Sequence, residues 1–353
     1  KDLSSSPFRT AEVMESPDAR VRFCADLFDR LWETYAERVE YVDTYKKFLG
    51  ANDYSLEEEE KNNQEEGEGS SCPEKPKHMV MDHVAFRTLA TPMYGISSIS
   101  RLLDALGYRV GGFYEFPTKK LRALHYEHFL PSMPKIFISE LCVWELEPDT
   151  RDVVMKIMDT HRRPLSEKTL GALHSLKATT NNEQEDWTML LEEVLEYLET
   201  SPWDTPSIDT IQRLHESSHY AAWVIVHGYR VNHFAALVGE TSVDSNNNDV
   251  AIIDKVVHSM IERGVPMKAQ VEGVPGFKLR QSATQAVSMD VPALDENQNR
   301  TTIPWNYAYF EFVERGYIWV PDEMDEEKPS KQRFEGFLAE HASNLFEMTA
   351  VVS

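Results

Sequence analysis

Two short segments of the chain carry the same residue pattern, and this repeat sets the strongest limit on the fold. Asp82-His83-Val84-Ala85-Phe86 returns 150 residues later as Asn232-His233-Phe234-Ala235-Ala236. Successive side chains of an extended strand point to opposite faces, so His83 and Arg87 share one face and Phe86 lies on the other. We interpret each segment as a strand with one packing face and one face that carries a functional histidine.

The sequence after each segment also repeats. An apolar stretch of helical period follows each time and stops at glycine, Ile96 to Leu106 before Gly107 and Val250 to Arg263 before Gly264. In the first copy, further strands are expected near Tyr108 to Phe116, Leu121 to Phe129 and Lys135 to Leu141. The order of strand, helix and further strands recurs around the same histidine pattern, which indicates two copies of one supersecondary module. We predict an α+β fold in which paired βαβββ modules form a curved mixed sheet around a metal site, with added helices.

Composition and spacing divide the rest of the chain. Apolar residues at three- and four-residue spacing after Asp18 indicate a helix that ends near Gly50 and covers one side of the catalytic domain. The predicted parts are a flexible tail (1–16), the covering helix (17–50), an acidic disordered linker (51–77) and the catalytic domain (78–353). The catalytic domain is expected to contain a first module (about 79–141), a helical insertion (about 149–219), a second module (about 220–320) and a C-terminal helix (about 332–350).

Charge and composition argue against several kinds of partner. The net charge of −23 argues against nucleic acid, because phosphate binding needs a basic face. The sequence has no run of about 18 or more apolar residues, so we predict no membrane-spanning helix and no membrane partner. The three cysteines, Cys24, Cys72 and Cys142, lack metal or redox spacing, which suggests a reducing compartment that would suit ferrous iron.

A carboxylate in an otherwise apolar strand is the third candidate ligand. We expect strands of the second module near Phe277 to Met289 and Trp305 to Val313, and the latter places Glu311 on the same face as two tyrosines. A charged group in such a strand is costly unless it is paired or bound to a cation. With His83 and His233 it makes the ligand set of non-haem ferrous oxygenases, which leaves neighbouring coordination positions open.

Arg87 is the candidate substrate-binding residue. It lies four residues from His83 on the same strand face, about 13 Å along the strand at roughly 3.3 Å per residue. A guanidinium that reaches back from there could hold a carboxylate near the metal by a bidentate pair. The distance between His83 and Arg87 therefore fits a dicarboxylic substrate, with one end at the metal and the other at the arginine.

Each of these residues also has a structural interpretation. Either histidine could be an ordinary buried side chain with satisfied hydrogen bonds. Glu311 could form an ion pair with Arg280 or Arg315. Arg87 could be an ordinary strand-end arginine in water.

A rival metal motif occurs in the predicted insertion. His215-Glu216-Ser217-Ser218-His219 matches H-E-x-x-H, the helical zinc site of metallopeptidases. The next residues, Ala221 to Val226, read as a strand, so the helix would end on the motif and we interpret it as a chance match. His125 and His128 lie in a predicted strand and face opposite sides, so we do not expect them to chelate together.

Four blocks of the sequence resemble those of the 2-oxoadipate dioxygenase/decarboxylase family, whose members are also called hydroxyglutarate synthases. The blocks are Asp82-His83-Val84-Ala85-Phe86-Arg87-Thr88, Tyr126-Glu127-His128-Phe129-Leu130-Pro131, Leu279-Arg280-Gln281-Ser282 and Phe310-Glu311-Phe312-Val313-Glu314-Arg315-Gly316. The resemblance covers most of Met79 to Val320 and implies a vicinal-oxygen-chelate type of fold. It also implies Fe(II) bound by His83, His233 and Glu311, and substrate bound by Arg87 and Gln281.

The resemblance implies a specific reaction. Family members use Fe(II) and O2 to decarboxylate a 2-oxo dicarboxylic acid and hydroxylate the same molecule, so 2-oxoadipate would become 2-hydroxyglutarate and CO2. The compact length and acidic insert resemble the plant branch, which is linked with plastids and lysine breakdown. The residues after His233, Phe234-Ala235-Ala236-Leu237, depart from the Leu-Thr-Pro-Arg of bacterial members.

Location and function have alternatives. Because the chain begins at Lys1, we expect a trimmed sequence from which a plastid transit peptide has been removed, with the cytoplasm as the alternative location. A metal-dependent lyase or isomerase on the same fold, or a non-catalytic interaction protein, are the alternative functions.

Overall fold

The computed structural model describes residues 6–50, 79–91, 94–161, 165–176, 184–240, 242–243, 249–250, 252–320, 330–340 and 349. The predicted acidic linker, residues 51–77, lies outside these ranges. Within them, no helix combines the length and the apolar character needed to cross a membrane.

The regular elements are numbered in chain order. The α-helices are α1 (Ala11–Glu15), α2 (Ala19–Arg38), α3 (Tyr41–Gly50), α4 (Ile96–Ala105), α5 (Pro148–Met158), α6 (Glu167–His174), α7 (Gln184–Glu199), α8 (Ile208–Ser217), α9 (His219–His227) and α10 (Ile252–Glu262). The strands are β1 (Met81–Leu89), β2 (Tyr108–Phe116), β3 (Leu121–His128), β4 (Lys135–Leu141), β5 (His233–Glu240), β6 (Ser242–Val243), β7 (Asp249–Val250), β8 (Leu279–Ala283), β9 (Ser288–Leu294), β10 (Arg300–Asn306), β11 (Tyr309–Arg315), β12 (Tyr317–Val320) and β13 (Ser330–Arg333).

A seven-stranded mixed sheet in the order β2-β3-β4-β1-β5-β11-β8 forms the centre of the structure. The two strands that carry the repeated histidine segments, β1 and β5, pair antiparallel in its middle. On one side β4 lies parallel to β1, and on the other β11 lies parallel to β5. The prediction of an α+β fold built from two facing modules around a mixed sheet is confirmed.

The second module differs from the predicted strand pattern. The single strand expected over Phe277 to Met289 is two strands, β8 and β9, and the one expected over Trp305 to Val313 is divided between β10 and β11. The hairpin β9–β10 leaves the main sheet, because Val291 and Ala293 pack against α8 and α9 at Ile211 and Val226. The main sheet therefore contains three strands of the second module, against four of the first.

The N-terminal region also differs from its prediction. The single helix expected over 17–50 is two helices, α2 and α3, separated at Val39, whose φ of −99° and ψ of 83° lie outside the helical region. Apolar spacing continues across this break, so periodicity alone did not reveal it. The residues expected to be a flexible tail include α1 and the fully buried side chains of Phe8 and Val13.

The N-terminal helices cover one face of the central sheet with aromatic side chains. The Trp32 and Tyr35 rings of α2 lie 5.0 Å and 4.9 Å from the ring of Phe234 on β5. Tyr45 of α3 makes a similar contact, 5.0 Å from Phe312 on β11. Because side chains alternate along a strand, this packing leaves the opposite face of β5 and β11 for His233 and Glu311.

The segment after the H-E-x-x-H match is a helix, so the strand predicted over Ala221 to Val226 is wrong. Ser218 caps α9 by accepting a hydrogen bond from the backbone N–H of Ala221. Every side chain from Tyr220 to His227 is buried. A short apolar run that is buried on all sides has no periodicity that distinguishes helix from strand.

The C-terminal helix expected from residue 332 is replaced at its start by a strand. β13 pairs antiparallel with β12, from Tyr317↔Arg333 to Val320↔Ser330. Residues 334–338 then follow without regular structure, and 341–348 of the predicted helix lie outside the described residues.

Each module fixes the start of its helix with a buried glutamate from a neighbouring strand. Glu140 of β4 accepts a hydrogen bond from the backbone N–H of Ile96 in α4, at 2.7 Å, and Glu314 of β11 accepts one from Ile253 in α10, at 2.8 Å. Carboxylates are favourable at this end of a helix because its first N–H groups have no partner within the helix. The repeat seen in the sequence therefore extends to the contacts between helix and sheet.

Replacing Glu140 by Ala should destabilise the fold. The change removes the acceptor for the Ile96 N–H and the partner of Arg122, and it leaves a buried donor unsatisfied. We expect a loss of about 1–3 kcal/mol in the free energy of unfolding, measured by urea denaturation. As a control, Ala at the exposed Glu115 of β2 should change it by less than about 0.5 kcal/mol. Equal effects of the two changes would contradict this role for Glu140.

Candidate metal centre

Three side chains from the middle of the sheet meet on its inner face. His83 lies near the start of β1, His233 begins β5, and Glu311 is the third residue of β11. His83 and His233 come together because β1 and β5 pair antiparallel, with His83 opposite Ala235 and Ala85 opposite His233. Parallel pairing then sets Glu311 beside Ala235, two residues after His233.

The three side chains are close enough to share one ion. The Nε2 atoms of His83 and His233 are 3.3 Å apart. The Glu311 carboxylate lies 3.9 Å from Nε2 of His83 and 3.2 Å from Nε2 of His233. One ligand atom from each residue lies within 4.8 Å of the others, and all three residues are buried. The structure thus brings together the three residues that the sequence suggested as ligands, in a group that could hold a metal ion.

The residue before each histidine orients its ring. Asp82 lies 2.9 Å from Nδ1 of His83, and the Asn232 side-chain oxygen lies 3.0 Å from Nδ1 of His233. An acceptor on Nδ1 holds the proton there and leaves Nε2 as the metal-binding atom. Gln281 of β8 acts similarly on the carboxylate, since its Nε2 donates to Oε1 of Glu311 at 2.6 Å. Asp82 and Asn232 were not singled out in the sequence, although both belong to the repeated segment.

The electrostatics of the group favour a bound cation. Burial lowers the pKa of His233 well below its usual value, so the imidazole is neutral and its Nε2 lone pair is available. Burial raises the pKa of Glu311, and its Oε2 atom has no hydrogen-bond partner among the described residues. A buried carboxylate with an unsatisfied oxygen is costly unless a cation lies nearby. The residues present therefore fit a divalent metal with imidazole and carboxylate ligands.

Neither arginine that could have paired with Glu311 does so. Arg315 forms a bidentate ion pair with Asp82, at 2.5 Å and 2.8 Å, and Arg280 pairs with Asp254 at 2.9 Å. Burial alone would raise the pKa of Asp82, but the charge of Arg315 and the bond from His83 hold it well below its ordinary value. The alternative in which Glu311 forms an ion pair with Arg280 or Arg315 is therefore wrong. Arg315 instead pairs with Asp82, the aspartate that orients His83.

A segment near the C-terminus covers the metal-binding group. Arg315 donates to the backbone carbonyls of Phe334 and Gly336, at 2.9 Å and 3.0 Å. The Phe337 ring then lies 4.9 Å from His83 and 5.0 Å from Phe137. Arg315 thus links the orientation of a candidate ligand to the segment that closes the site. Sequence reasoning missed Phe337, which lies in a region predicted to be a helix.

Arg87 is buried rather than exposed to water, so the strand-end interpretation is wrong. Its side chain is 2% exposed and lies between aromatic rings, 5.3 Å from Tyr220 and 5.2 Å from Trp223. Nη1 donates to Oγ1 of Thr349 at 2.6 Å, and the side chain also hydrogen-bonds to Tyr309. Tyr309 in turn stacks on His233, with ring centroids 4.6 Å apart.

Arg87, Gln281 and the three candidate ligands line one cavity of about 30 Å³. This volume has room for no more than a few water molecules. The other lining residues are Ala85, Phe86, Phe137, Ser139, Asn232, Tyr309 and Phe337. The cavity therefore combines one cationic side chain, a metal-binding group and several aromatic rings.

The other histidines singled out in the sequence lie elsewhere. His215 lies in α8 and His219 is the first residue of α9, so the H-E-x-x-H match does not lie on one helix. Their ring nitrogens are 3.2 Å apart, but in the described part of the chain no third side chain completes a metal-binding group with them. His125 bonds Tyr114, and His128 lies against the Leu106 carbonyl.

Comparison with known proteins identifies the family of the chain. The sequence profile of the family described as 2-oxoadipate dioxygenase/decarboxylase matches residues 27–326. The enzyme of Oryza sativa subsp. japonica named 2-oxoadipate dioxygenase/decarboxylase, chloroplastic/amyloplastic, is 29% identical over 289 residues, which cover 77% of this chain and 70% of that protein.

Two solved structures share the fold. The hydroxyglutarate synthase of Oryza sativa, crystallised with 2-oxoadipate, gives a TM-score of 0.62 at 23% identity and covers 94% of this chain and 93% of its own. A glyoxalase superfamily protein of Ralstonia eutropha JMP134 gives 0.68 at 18% identity, over 86% of this chain and 85% of its own. These likenesses confirm the predicted vicinal-oxygen-chelate type of fold. Because the family profile spans most of the sequence, the chain belongs to the 2-oxoadipate dioxygenase/decarboxylase family of enzymes.

Proposed function

We propose that this enzyme uses Fe(II) and O2 to convert 2-oxoadipate, or a closely related 2-oxo dicarboxylic acid, to 2-hydroxyglutarate and CO2. The observation that carries the proposal is the buried group of His83, His233 and Glu311 in one cavity with Arg87. Two imidazoles and one carboxylate leave neighbouring positions open on a ferrous ion. When bound, the metal would supply the oxygen activation that no side chain can provide.

The protein's own residues would hold and orient the reactants. His83, His233 and Glu311 would hold the metal, with Asp82 and Gln281 fixing two of these side chains. A metal in this group would leave open positions for the 2-oxo acid end of the substrate, which would bind as a chelate and fix its orientation. The aromatic rings that line the cavity would limit the contact of bulk water with the reacting carbon atoms.

Arg87 would bind the carboxylate at the far end of the substrate. Its guanidinium lies on the same strand face as His83 and is packed between Tyr220 and Trp223, so its position is fixed before substrate binds. A planar guanidinium can pair with a carboxylate through two hydrogen bonds. Nη1 of Arg87, which donates to Oγ1 of Thr349 in this structure, would donate to the substrate carboxylate instead.

Substrate entry requires the cavity to enlarge. A dicarboxylic acid of six carbons is far larger than a space of about 30 Å³. Phe337 lines the cavity from a segment without regular structure, and its ring lies near both His83 and the half-buried Tyr114. We therefore assign to residues 334–338 the movement that admits substrate.

A relative's name supports a proposal about location. The rice relative's name places that protein in chloroplasts and amyloplasts. We propose the same plastid location and a role in lysine breakdown for this enzyme, with the cytoplasm as the alternative.

Anaerobic reconstitution with Fe(II), followed by oxygen uptake on a panel of 2-oxo acids, tests the proposal. We expect oxygen uptake and CO2 release with 2-oxoadipate in stoichiometric amounts, without a second organic substrate. A lyase or isomerase would act without consuming oxygen, and an interaction protein would not bind the metal.

Replacing Glu311 by Ala should abolish metal binding and activity together. Because Glu311 would bind the metal directly, and loss of a residue that only orients a ligand already costs up to about 100-fold, we expect the Fe(II) affinity to fall by at least about 100-fold, measured anaerobically by competition with a chelator. The control is Glu140→Ala, which removes a buried strand glutamate outside the cavity and should leave metal affinity unchanged. Retention of stoichiometric iron by Glu311→Ala would show that the ion binds elsewhere.

Replacing His219 by Gln should leave metal content unchanged. Its ring and that of His215 lie on two different helices at the surface, and no third ligand among the described residues joins them. Elemental analysis of wild type and variant, purified in parallel, measures this. A stoichiometric loss of metal in the variant would favour the peptidase motif instead.

Replacing Arg87 by Lys should weaken the use of dicarboxylic substrates. Lysine keeps the charge but cannot form the two parallel hydrogen bonds of a guanidinium. The fall in kcat/KM for 2-oxoadipate should therefore correspond to a loss of about 1.5–3 kcal/mol in transition-state binding. Iron content should not change, and monocarboxylic 2-oxo acids should be affected much less. The control is Arg122→Lys on β3, outside the cavity. Equal slowing of both substrate classes by Arg87→Lys would remove the assignment of a dicarboxylic substrate.

A further inference from the structure

The two modules are related by a local two-fold arrangement at the centre of the sheet. In the antiparallel pairing of β1 with β5, His83 lies opposite Ala235 and Ala85 lies opposite His233. This register is symmetric, because exchanging the two strands exchanges the two histidines and the two alanines. The Nδ1 contacts with Asp82 and Asn232 follow the same symmetry.

The symmetry continues into the outer strands and identifies the counterpart of Glu311. In the second module, Glu311 of β11 pairs with Ala235, two residues after His233. In the first module, the residue of β4 that pairs with Ala85, two residues after His83, is Phe137. Phe137 therefore occupies in the first module the register position that Glu311 occupies in the second.

The side chain of Phe137 faces the same cavity as Glu311. Both residues line it, and both lie on the inner face of their strands. A carboxylate at position 137 would add a fourth protein ligand from the side opposite Glu311. Instead the Phe137 ring packs against Phe337, with centroids 5.0 Å apart, and contributes no ligand atom.

We propose that Phe137 keeps a coordination position of this metal centre open for substrate by withholding a fourth protein ligand. The inference rests on the proposed function, because it concerns the metal held by His83, His233 and Glu311. The first module supplies one ligand and the second supplies two, so the coordination positions toward β4 stay open. The chelating end of the 2-oxo acid would bind on that side, next to Phe137, with its far carboxylate toward Arg87, which lines the same cavity. Phe137 is thus a positioning residue that makes room for substrate on the metal.

Placing a carboxylate at position 137 tests the proposal. Co(II) serves as the probe, because it is stable in air and its visible absorption changes with the number of ligands. Phe137→Glu should bind Co(II) at least about tenfold more tightly than wild type, since a direct ligand should exceed the effect of an outer-sphere contact. In wild type, 2-oxoadipate should change the Co(II) spectrum, whereas Phe137→Glu should need at least about tenfold more 2-oxoadipate for the same change, because the new carboxylate competes for one of the positions that the chelate would take. Phe137→Leu is the control, because it removes the ring without adding a ligand and should leave Co(II) affinity within about threefold of wild type.

Moving the carboxylate from one module to the other is a sharper test. Glu311→Phe alone should lose Co(II) binding, and adding Phe137→Glu to it should restore binding, because the local symmetry again gives two histidines and one carboxylate. If Phe137→Glu does not fold, Phe137→His retains a ring of similar size, is uncharged when neutral, and should give the same gain in affinity. Thermal melting with and without Co(II) reports folding and metal binding in each variant.

The possible outcomes separate this inference from the proposed function. If wild type binds no divalent metal, the proposed function fails. If wild type binds Co(II) but neither folded variant at position 137 changes its affinity or its spectrum, and the double variant does not recover binding, the role of Phe137 is overturned. Tighter Co(II) binding in Phe137→Glu, with a spectral change at the same 2-oxoadipate concentration as in wild type, would also overturn it, because the position taken by the new carboxylate would then not be one that the substrate uses.

Discussion

The antiparallel pairing of β1 with β5 is the interaction on which the rest of the structure depends. It joins the two modules through backbone hydrogen bonds and fixes a register in which each histidine lies opposite an alanine. A shift by one residue would turn every side chain of one strand to the other face. The histidine of that strand would then point to the face covered by α2 and α3, and the metal-binding group would be lost. Small alanines opposite the histidines leave space for two imidazoles on one face.

The charges buried around this pairing constrain the site further. His83, Glu311, Asp82 and Arg315 are all nearly inaccessible to water. Asp82 and Arg315 neutralise one another, whereas within the described ranges Glu311 has no arginine or lysine partner and retains an unsatisfied oxygen. Removal of one member of a buried pair is strongly destabilising, so Asp82 stays paired with Arg315. Glu311 is therefore the carboxylate that remains available for a cation. Arg315 also bonds the segment that carries Phe337, and closure of the cavity is therefore coupled to the orientation of His83.

The sequence revealed the parts of the fold that depend on local pattern. The histidine repeat, the helices that stop at glycine and the alternation along β11 were sufficient to predict two modules and to suggest three ligands. Sequence patterns did not predict the elements whose structure depends on tertiary packing. The apolar run of α9 is buried on all sides, the break at Val39 interrupts no spacing, and the β9–β10 hairpin leaves the sheet because of contacts with α8 and α9. The roles of Asp82, Arg315, Phe337 and Phe137 depend on residues far apart in sequence, which no local pattern can show.

The central claim is that one Fe(II) ion is held by His83, His233 and Glu311. Anomalous diffraction at the iron absorption edge, from crystals of the full chain grown anaerobically with Fe(II), tests it most directly. The account predicts a single anomalous peak about 2.0–2.2 Å from Nε2 of His83, Nε2 of His233 and a Glu311 carboxylate oxygen. An ordered peak at any other group of side chains, or no peak at this one in crystals that contain stoichiometric iron, would contradict it.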